Sequence, residues 1–205
     1  MLHLSTLDTG TYQLLRDLFT IDFIKENFAL AGGTALALQI GHRQSIDLDL
    51  FSTRVFNVKE LEIILAESEK FRFEYTGSNS RMLFGFINQV KCDFVNEPAV
   101  LINPFLLLDD VAYFSIADIA AMKLHAICGR GKKKDIFDIY ALLQLYSWGK
   151  LLEWFTEKYG VSQLYFLQRS ILYFEDAEED PDPISFAPFT KNWKEMKEFI
   201  INTCS

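Results

Sequence analysis

The chain has 205 residues, half of them hydrophobic, enough to bury a real core in one domain or one domain with a smaller appendage. A net charge of −8 and a pI near 4.9 exclude a surface broadly attractive to nucleic acid or anionic membrane, so contact with RNA or DNA has to use a local patch. No run of about 18 uncharged apolar residues occurs, and the first residues lack a basic stretch followed by an apolar one, so the expectation is a cytoplasmic protein without a membrane partner.

Apolar residues recur at helical spacing over 11–26 (Tyr12, Leu15, Leu18, Phe19, Phe23), and Phe28 to Ala31 is short enough for a strand. Gly32-Gly33 breaks the chain before a short helix, Thr34 to Ile40, which Gly41 stops. Ser45 to Phe51 alternates polar and apolar as a strand does, and 58–69 is helical. Three further strands are expected at 71–76, 81–88 and 90–95, joined by "GSNS" and by Asn88-Gln89. From Ser115 onward the pattern is helical: 116–128, 135–147, 150–159, 162–174 and 191–203. The acidic, proline-punctuated "FEDAEEDPDP" (174–183) is a linker or exposed loop. The fold class is therefore α+β, with a small mixed sheet and flanking helices over 1–112 and a helical subdomain over 113–205. Trp148, Trp154, Trp193 and "LYFLQRSILYF" belong to the core of that second part.

Asp47 and Asp49 sit two apart on an expected strand, which places both on one face, about 7 Å apart, while Ile46, Leu48 and Leu50 face the other way. Asp is unwelcome in strands and costly when buried unpaired, so the pair needs a compensating partner. Divalent cations supply it. Mg²⁺ takes oxygen ligands and is usually held by one or two carboxylates plus substrate phosphates. Gly32 and Gly33 allow the backbone close to a ligand, the following helix offers unpaired N–H groups, and Thr34 adds a hydroxyl.

Gly-Gly, a short helix and an Asp-x-Asp strand together resemble the signature of the DNA polymerase β-like nucleotidyltransferases. The fuller string "GGTALAL…GHRQSIDLDLF" is similar to the AbiEii/AbiGii toxin family of type IV toxin–antitoxin systems. Two later motifs match in family order: Asp118-Ile-Ala-Ala-Met-Lys123, and Arg130-Gly-Lys-Lys-Lys134-Asp135-Ile-Phe-Asp138, where Lys134 replaces the family's second Arg. The resemblance covers about residues 28–143. It implies a Mg²⁺-dependent enzyme that transfers a nucleoside monophosphate from an NTP to an acceptor, RNA or the 3′ end of tRNA, as a toxin countered by a separately encoded antitoxin. Asp47 and Asp49 would hold metal, and Gly32, Gly33, Thr34 and Lys123 the triphosphate. A small-molecule nucleotidyltransferase and a nucleotide-binding module without turnover are the alternatives.

Lys123 lies in register with Ile116, Ile119, Ala120 and Ile127, which puts an ammonium on an apolar helix face, as a snorkelling lysine or a phosphate ligand. Asp135 and Asp138 have the spacing of a helix-capping pair, and the resemblance adds a role for one of them near the nucleotide. Arg130, Lys132, Lys133 and Lys134 form the chief dense basic patch, a solvated turn or a contact for acceptor phosphates. Asp93 is a strand-end partner of Lys91 or, as the resemblance implies, a third carboxylate, and the resemblance leaves Asp93 or Asp138 as the base. Arg43 and Ser45 bind phosphate or pair with the aspartates. His42 and His125 have no second ligand at metal spacing, and Cys92, Cys128 and Cys204 form no C-x-x-C pair.

Overall fold

The computed structural model describes residues 1–205. Its centre is a seven-stranded sheet made of β1 (Ala29–Leu30), β2 (Leu48–Ser52), β3 (Phe73–Asn79), β4 (Met82–Ile87), β5 (Val90–Asn96), β6 (Leu106–Leu108) and β7 (Val111–Tyr113), ordered β3-β4-β5-β2-β1-β7-β6. The β2/β5 and β1/β7 pairs are parallel and the others antiparallel, so the sheet is mixed, as expected. Asn88-Gln89 joins β4 to β5 with φ of 50° and 71°, the two positive values that a tight hairpin turn demands.

The hairpin β6/β7 was not expected. Leu106, Leu107 and Leu108 are all exposed on the edge strand and show no alternation, and Asp109-Asp110 (φ 51° and 63°) forms the turn. The helices are α1 (Thr9–Leu18), α2 (Asp22–Asn27), α3 (Gly32–Ile40), α4 (Val58–Ala66), α5 (Ile116–Gly129), α6 (Lys133–Leu145), α7 (Trp148–Tyr159), α8 (Leu164–Ser170) and α9 (Trp193–Cys204).

Several boundaries differ from expectation for local reasons. The helix expected over 11–26 breaks between α1 and α2, where the Thr20 hydroxyl donates to the Asp17 carbonyl in place of helix continuation. Both glycines lie inside α3, and Gly41 ends it in the left-handed conformation (φ 72°). Strand β2 starts only at Leu48, because 42–45 is held elsewhere: Ser45 N–H donates to Thr6 O and Gln44 N–H to Ile184 O. Ile46 is consequently exposed and does not share a buried face with Leu48 and Leu50. In 164–174, Leu167, Ile171 and Phe174 are buried but Tyr165, Phe166 and Tyr173 are exposed, so only one stripe of that aromatic segment is core.

One continuous hydrophobic cluster runs from Leu7 to Ile200 and joins the sheet to the helices. The acidic 174–183 segment is no free linker. Asp180 accepts from the Lys133 backbone N–H and pairs with Lys132, while Lys133 Nζ reaches Asp182 at 3.1 Å and the Trp193 ring at 5.1 Å. No helix is long and apolar enough to cross a membrane.

Candidate active site

Parallel pairing of β2 and β5 sets Asp49 opposite Asp93, and strand alternation brings Phe51 and Val95 to the same face. Met82 and Phe84 on β4 extend that face. With Ile119, Met122, Lys123 and His125 of α5, Arg130, Asp135 of α6 and Tyr159 of α7, they line a cleft of about 330 Å³. One end of it opens into a recess with no hydrophobic lining, walled by Asp47, Asp49, Asp93, Lys91, Lys123, Arg130 and Lys134, together with Gly33, Arg43 and Ser45.

Gly32 opens α3 with φ of 65°, and a Cβ on it would lie 2.2 Å from Asp49 Oδ2. A Cβ on Gly33 would lie 2.2 Å from Arg43 Nη2. The glycine pair therefore lets the helix start press against the strand carboxylate, which no residue with a side chain permits. Gly32→Ala is expected to displace Asp49 and lower nucleotide transfer by about a hundredfold, the usual cost of a misplacement near 1 Å. Steady-state rates measured beside circular dichroism would separate this from loss of fold.

The three carboxylates have different surroundings. Burial pushes the Asp49 carboxyl up, and Lys123 offsets this only in part while Asp93 adds to it. Asp93 Oδ2 pairs with Lys91, whereas its Oδ1 is buried with no hydrogen-bond partner. Asp47 precedes the strand, and its Oδ2 lies 3.4 Å from Lys134 Nζ. No three Asp, Glu, His or Cys side chains enclose a metal ion by themselves. Two oxygen donors that leave the remaining positions to water and phosphate are the usual protein share of a Mg²⁺ site, so these residues fit that ion, and the orphaned Asp93 oxygen fits a cation or a proton.

Beneath the recess lies a buried ionic network. Asp138 accepts from Arg43 through Nε at 2.6 Å and Nη2 at 3.0 Å, from His42 Nε2 at 2.6 Å and from Lys123 Nζ at 2.6 Å. Lys123 also donates to Asp135 at 2.7 Å, and Arg130 Nε reaches the other Asp135 oxygen at 3.1 Å. Burial pushes Asp138 up, but Arg43 and Lys123 outweigh it and hold the carboxyl well below its ordinary value. Burial lowers His42 despite Asp138 beside it. Burial also disfavours the charge on Lys123, but Asp138 and Asp135 more than reverse this and raise its pKa.

The capping expectation for Asp135 and Asp138 is corrected. Lys132 occupies the N-cap of α6 without a side-chain bond, and both aspartates are inside the helix, turned onto Lys123 and Arg43. Lys123 accordingly does not snorkel to solvent. The basic turn is not a free patch either: Arg130, Lys132, Lys133 and Lys134 each pair with a carboxylate.

Thr34 is buried, and its hydroxyl bonds Ser45 Oγ at 2.8 Å and the Asp47 carbonyl. It ties α3 to the segment that carries Asp47. Asp118 pairs with Lys158 at 2.9 Å and accepts from the Ile102 and Asn103 N–H groups. Lys158 also donates to Val100 O at 2.9 Å, so this pair anchors the loop after β5. His125 stacks on Tyr159 at 4.2 Å along the cleft wall, and Glu97 lines the same cleft. Sequence patterning gave neither Glu97 nor Tyr159 a role, because neither stands in a motif.

Residues 13–203 match the model of the AbiEii nucleotidyl transferase toxin family, type IV toxin–antitoxin system. An uncharacterised protein of Aquifex aeolicus (strain VF5) is 30% identical over 183 residues, 86% of each chain. The fold is similar to that of MenT4, a nucleotidyltransferase toxin from Mycobacterium tuberculosis H37Rv, with a TM-score of 0.62 and 16% identity over 95% of this chain and 81% of the other. JHP933 from Helicobacter pylori gives 0.53 and 14% identity, over 100% and 92% of the two chains. The glycine-opened helix, the paired strand carboxylates and the cationic recess thus lie in a chain that belongs to the AbiEii nucleotidyltransferase toxin family and is a nucleotidyltransferase.

Proposed function

We propose that the protein transfers a nucleoside monophosphate from an NTP to an RNA acceptor, the 3′ end of tRNA being the leading candidate, with release of pyrophosphate and with Mg²⁺ as cofactor, and that this arrests growth unless a separately encoded antitoxin counters it. The observation that carries the reading is the two-ended cleft: a wholly polar, cation-rich recess at Asp49 and Asp93 continues into an apolar, aromatic half. A nucleoside triphosphate has the same division. Phosphates suit the recess and the nucleoside suits the apolar half.

Asp47 and Asp49 would hold Mg²⁺, which when bound offsets phosphate charge and favours in-line attack on the α-phosphate. Lys123 spends two of its three N–H donors on Asp135 and Asp138, leaving one for a phosphate oxygen. Arg130 uses Nε on Asp135 and retains its outer N–H groups, and Lys134 is half exposed beside Asp47. Gly32 and Gly33 bring the start of α3 to the same place. Asp93 Oδ1, without a partner, accepts the proton of the attacking hydroxyl. Asp138 is assigned to positioning, since it is fully buried and both its oxygens are engaged.

Incubation with each α-³²P-labelled NTP, Mg²⁺ and total bacterial RNA, beside an Asp47→Ala/Asp49→Ala control, tests the proposal. Label on RNA from the parent alone is the expected result. Labelled small molecules without labelled RNA would favour the second reading, a small-molecule acceptor, which the pairing of Lys132 and Lys133 with Asp180 and Asp182 supports by leaving no broad cationic track for RNA.

A further inference from the structure

Strand β5, which carries Asp93, ends at Asn96, and the Glu97 N–H still donates to Ser52 O at 2.8 Å, so the extended backbone runs one residue further along the cleft. Asp93, Val95 and Glu97 all line it, and four residues at about 3.3 Å each put Glu97 some ~13 Å along the strand from Asp93. That span is comparable with the distance from the α-phosphorus of a nucleotide to the outer edge of its base. The apolar lining of the same cleft comes from Phe51, Met82, Phe84 and Val95 of the sheet and Met122 of α5, side chains suited to a flat ring.

A carboxylate at the end of an apolar slot needs a donor when a ligand displaces its water. Glu97 Oε1 accepts from the Ala99 N–H at 3.2 Å, which steadies the side chain and leaves Oε2 for a ligand. The loop behind it is fastened by Lys158 bonding Val100 O and Asp118. The cationic lining residues Lys123 and Arg130 bond Asp135, and their remaining donors are the ones assigned above to phosphate. Tyr159 completes the wall; burial pushes its hydroxyl pKa up, with Glu97 and Asp118 adding to that, so it stays a neutral donor.

We propose that Glu97 selects the incoming nucleotide by accepting a hydrogen bond from an exocyclic amino group of the base, so that amino-bearing NTPs are taken over their keto or amino-lacking counterparts. A ring carbonyl at the same position would set its lone pairs against the carboxylate, and a site built for a donor rejects an isostere that lacks one. This inference rests on the reading of the cleft as an NTP site.

Equilibrium titration of the full chain with CTP against UTP, ATP against ITP, and GTP against ITP, in Mg²⁺, tests it. In at least one pair the amino member is expected to bind about tenfold or more tightly, and Glu97→Gln, whose amide both donates and accepts, is expected to narrow that ratio to within about threefold. Equal affinity across all three pairs in the parent would overturn the inference without any variant, as would an unchanged ratio in a folded Glu97→Gln. Binding of no NTP at all would instead overturn the nucleotide reading, and this inference with it.

Discussion

Asp49→Asn is expected to slow nucleotide transfer roughly a thousandfold, equivalent to about 4 kcal/mol in the barrier, while leaving the thermal midpoint no lower than that of the parent. The two effects have one origin. Burial and the nearby Asp93 raise the Asp49 carboxyl pKa, so in the folded protein its charge is a cost rather than a source of stability. The folded state binds that proton more tightly than the unfolded one, so the cost is fully present above the raised pKa and is relieved as pH falls through it. Asparagine removes the charge and with it the cost, but a neutral amide is a poor ligand for a hard cation. Paired measurements of transfer rate and unfolding midpoint check this; a variant that lost activity only by unfolding would sink the assignment. The same raised pKa predicts an acid limb in the rate profile, because protons compete with cations for Asp49.

The second large effect is on stability. Asp138→Ala is expected to cost about 3–5 kcal/mol in denaturant unfolding, since it strips Arg43 and Lys123 of a shared partner and leaves the buried Arg43 without a carboxylate. Acid should produce the same weakness in the parent. Asp138 is held well below its ordinary pKa, so its contribution is present above the unfolded value near 4 and is lost as pH falls through the folded one. His42 acts in the same direction: burial lowers its pKa, so below about 6.5 the unfolded chain takes up a proton that the folded one refuses. Stability is therefore expected to fall in two stages, below about 6.5 through His42 and again below about 4 through Asp138, and only the second stage should be missing in Asp138→Ala.

The elements proposed to position the phosphates were legible in sequence because their signals are local. Gly32-Gly33, the stop at Gly41 and the alternation around Asp49 are read within a few residues, and the structure sets Gly32 against Asp49 while Gly41 ends the same helix. What escaped was non-local. Nothing in the spacing of Arg43 or His42 reveals that Asp138, nearly a hundred residues on, neutralises them, and the acidic spacing of Asp135 and Asp138 imitates a cap so well that local reasoning stops there. Lys132 and Lys133 look like a free patch until the acidic segment folds back onto them. Edge strand β6 carries three exposed leucines, a pattern that matches neither a buried strand nor a helix. Glu97 lies just beyond the last residue of β5, where strand patterning ceases to assign a face.

The proposed chemistry requires Asp49 to serve as an oxygen donor to a divalent cation beside bound nucleotide. The most direct test is electron paramagnetic resonance of Mn²⁺, standing in for Mg²⁺, titrated into the parent and Asp49→Asn with a non-hydrolysable NTP analogue present. The parent is expected to draw the ion out of its free, six-line spectrum, and a folded Asp49→Asn to do so at least tenfold more weakly. Equal retention of Mn²⁺ by the two proteins would contradict it.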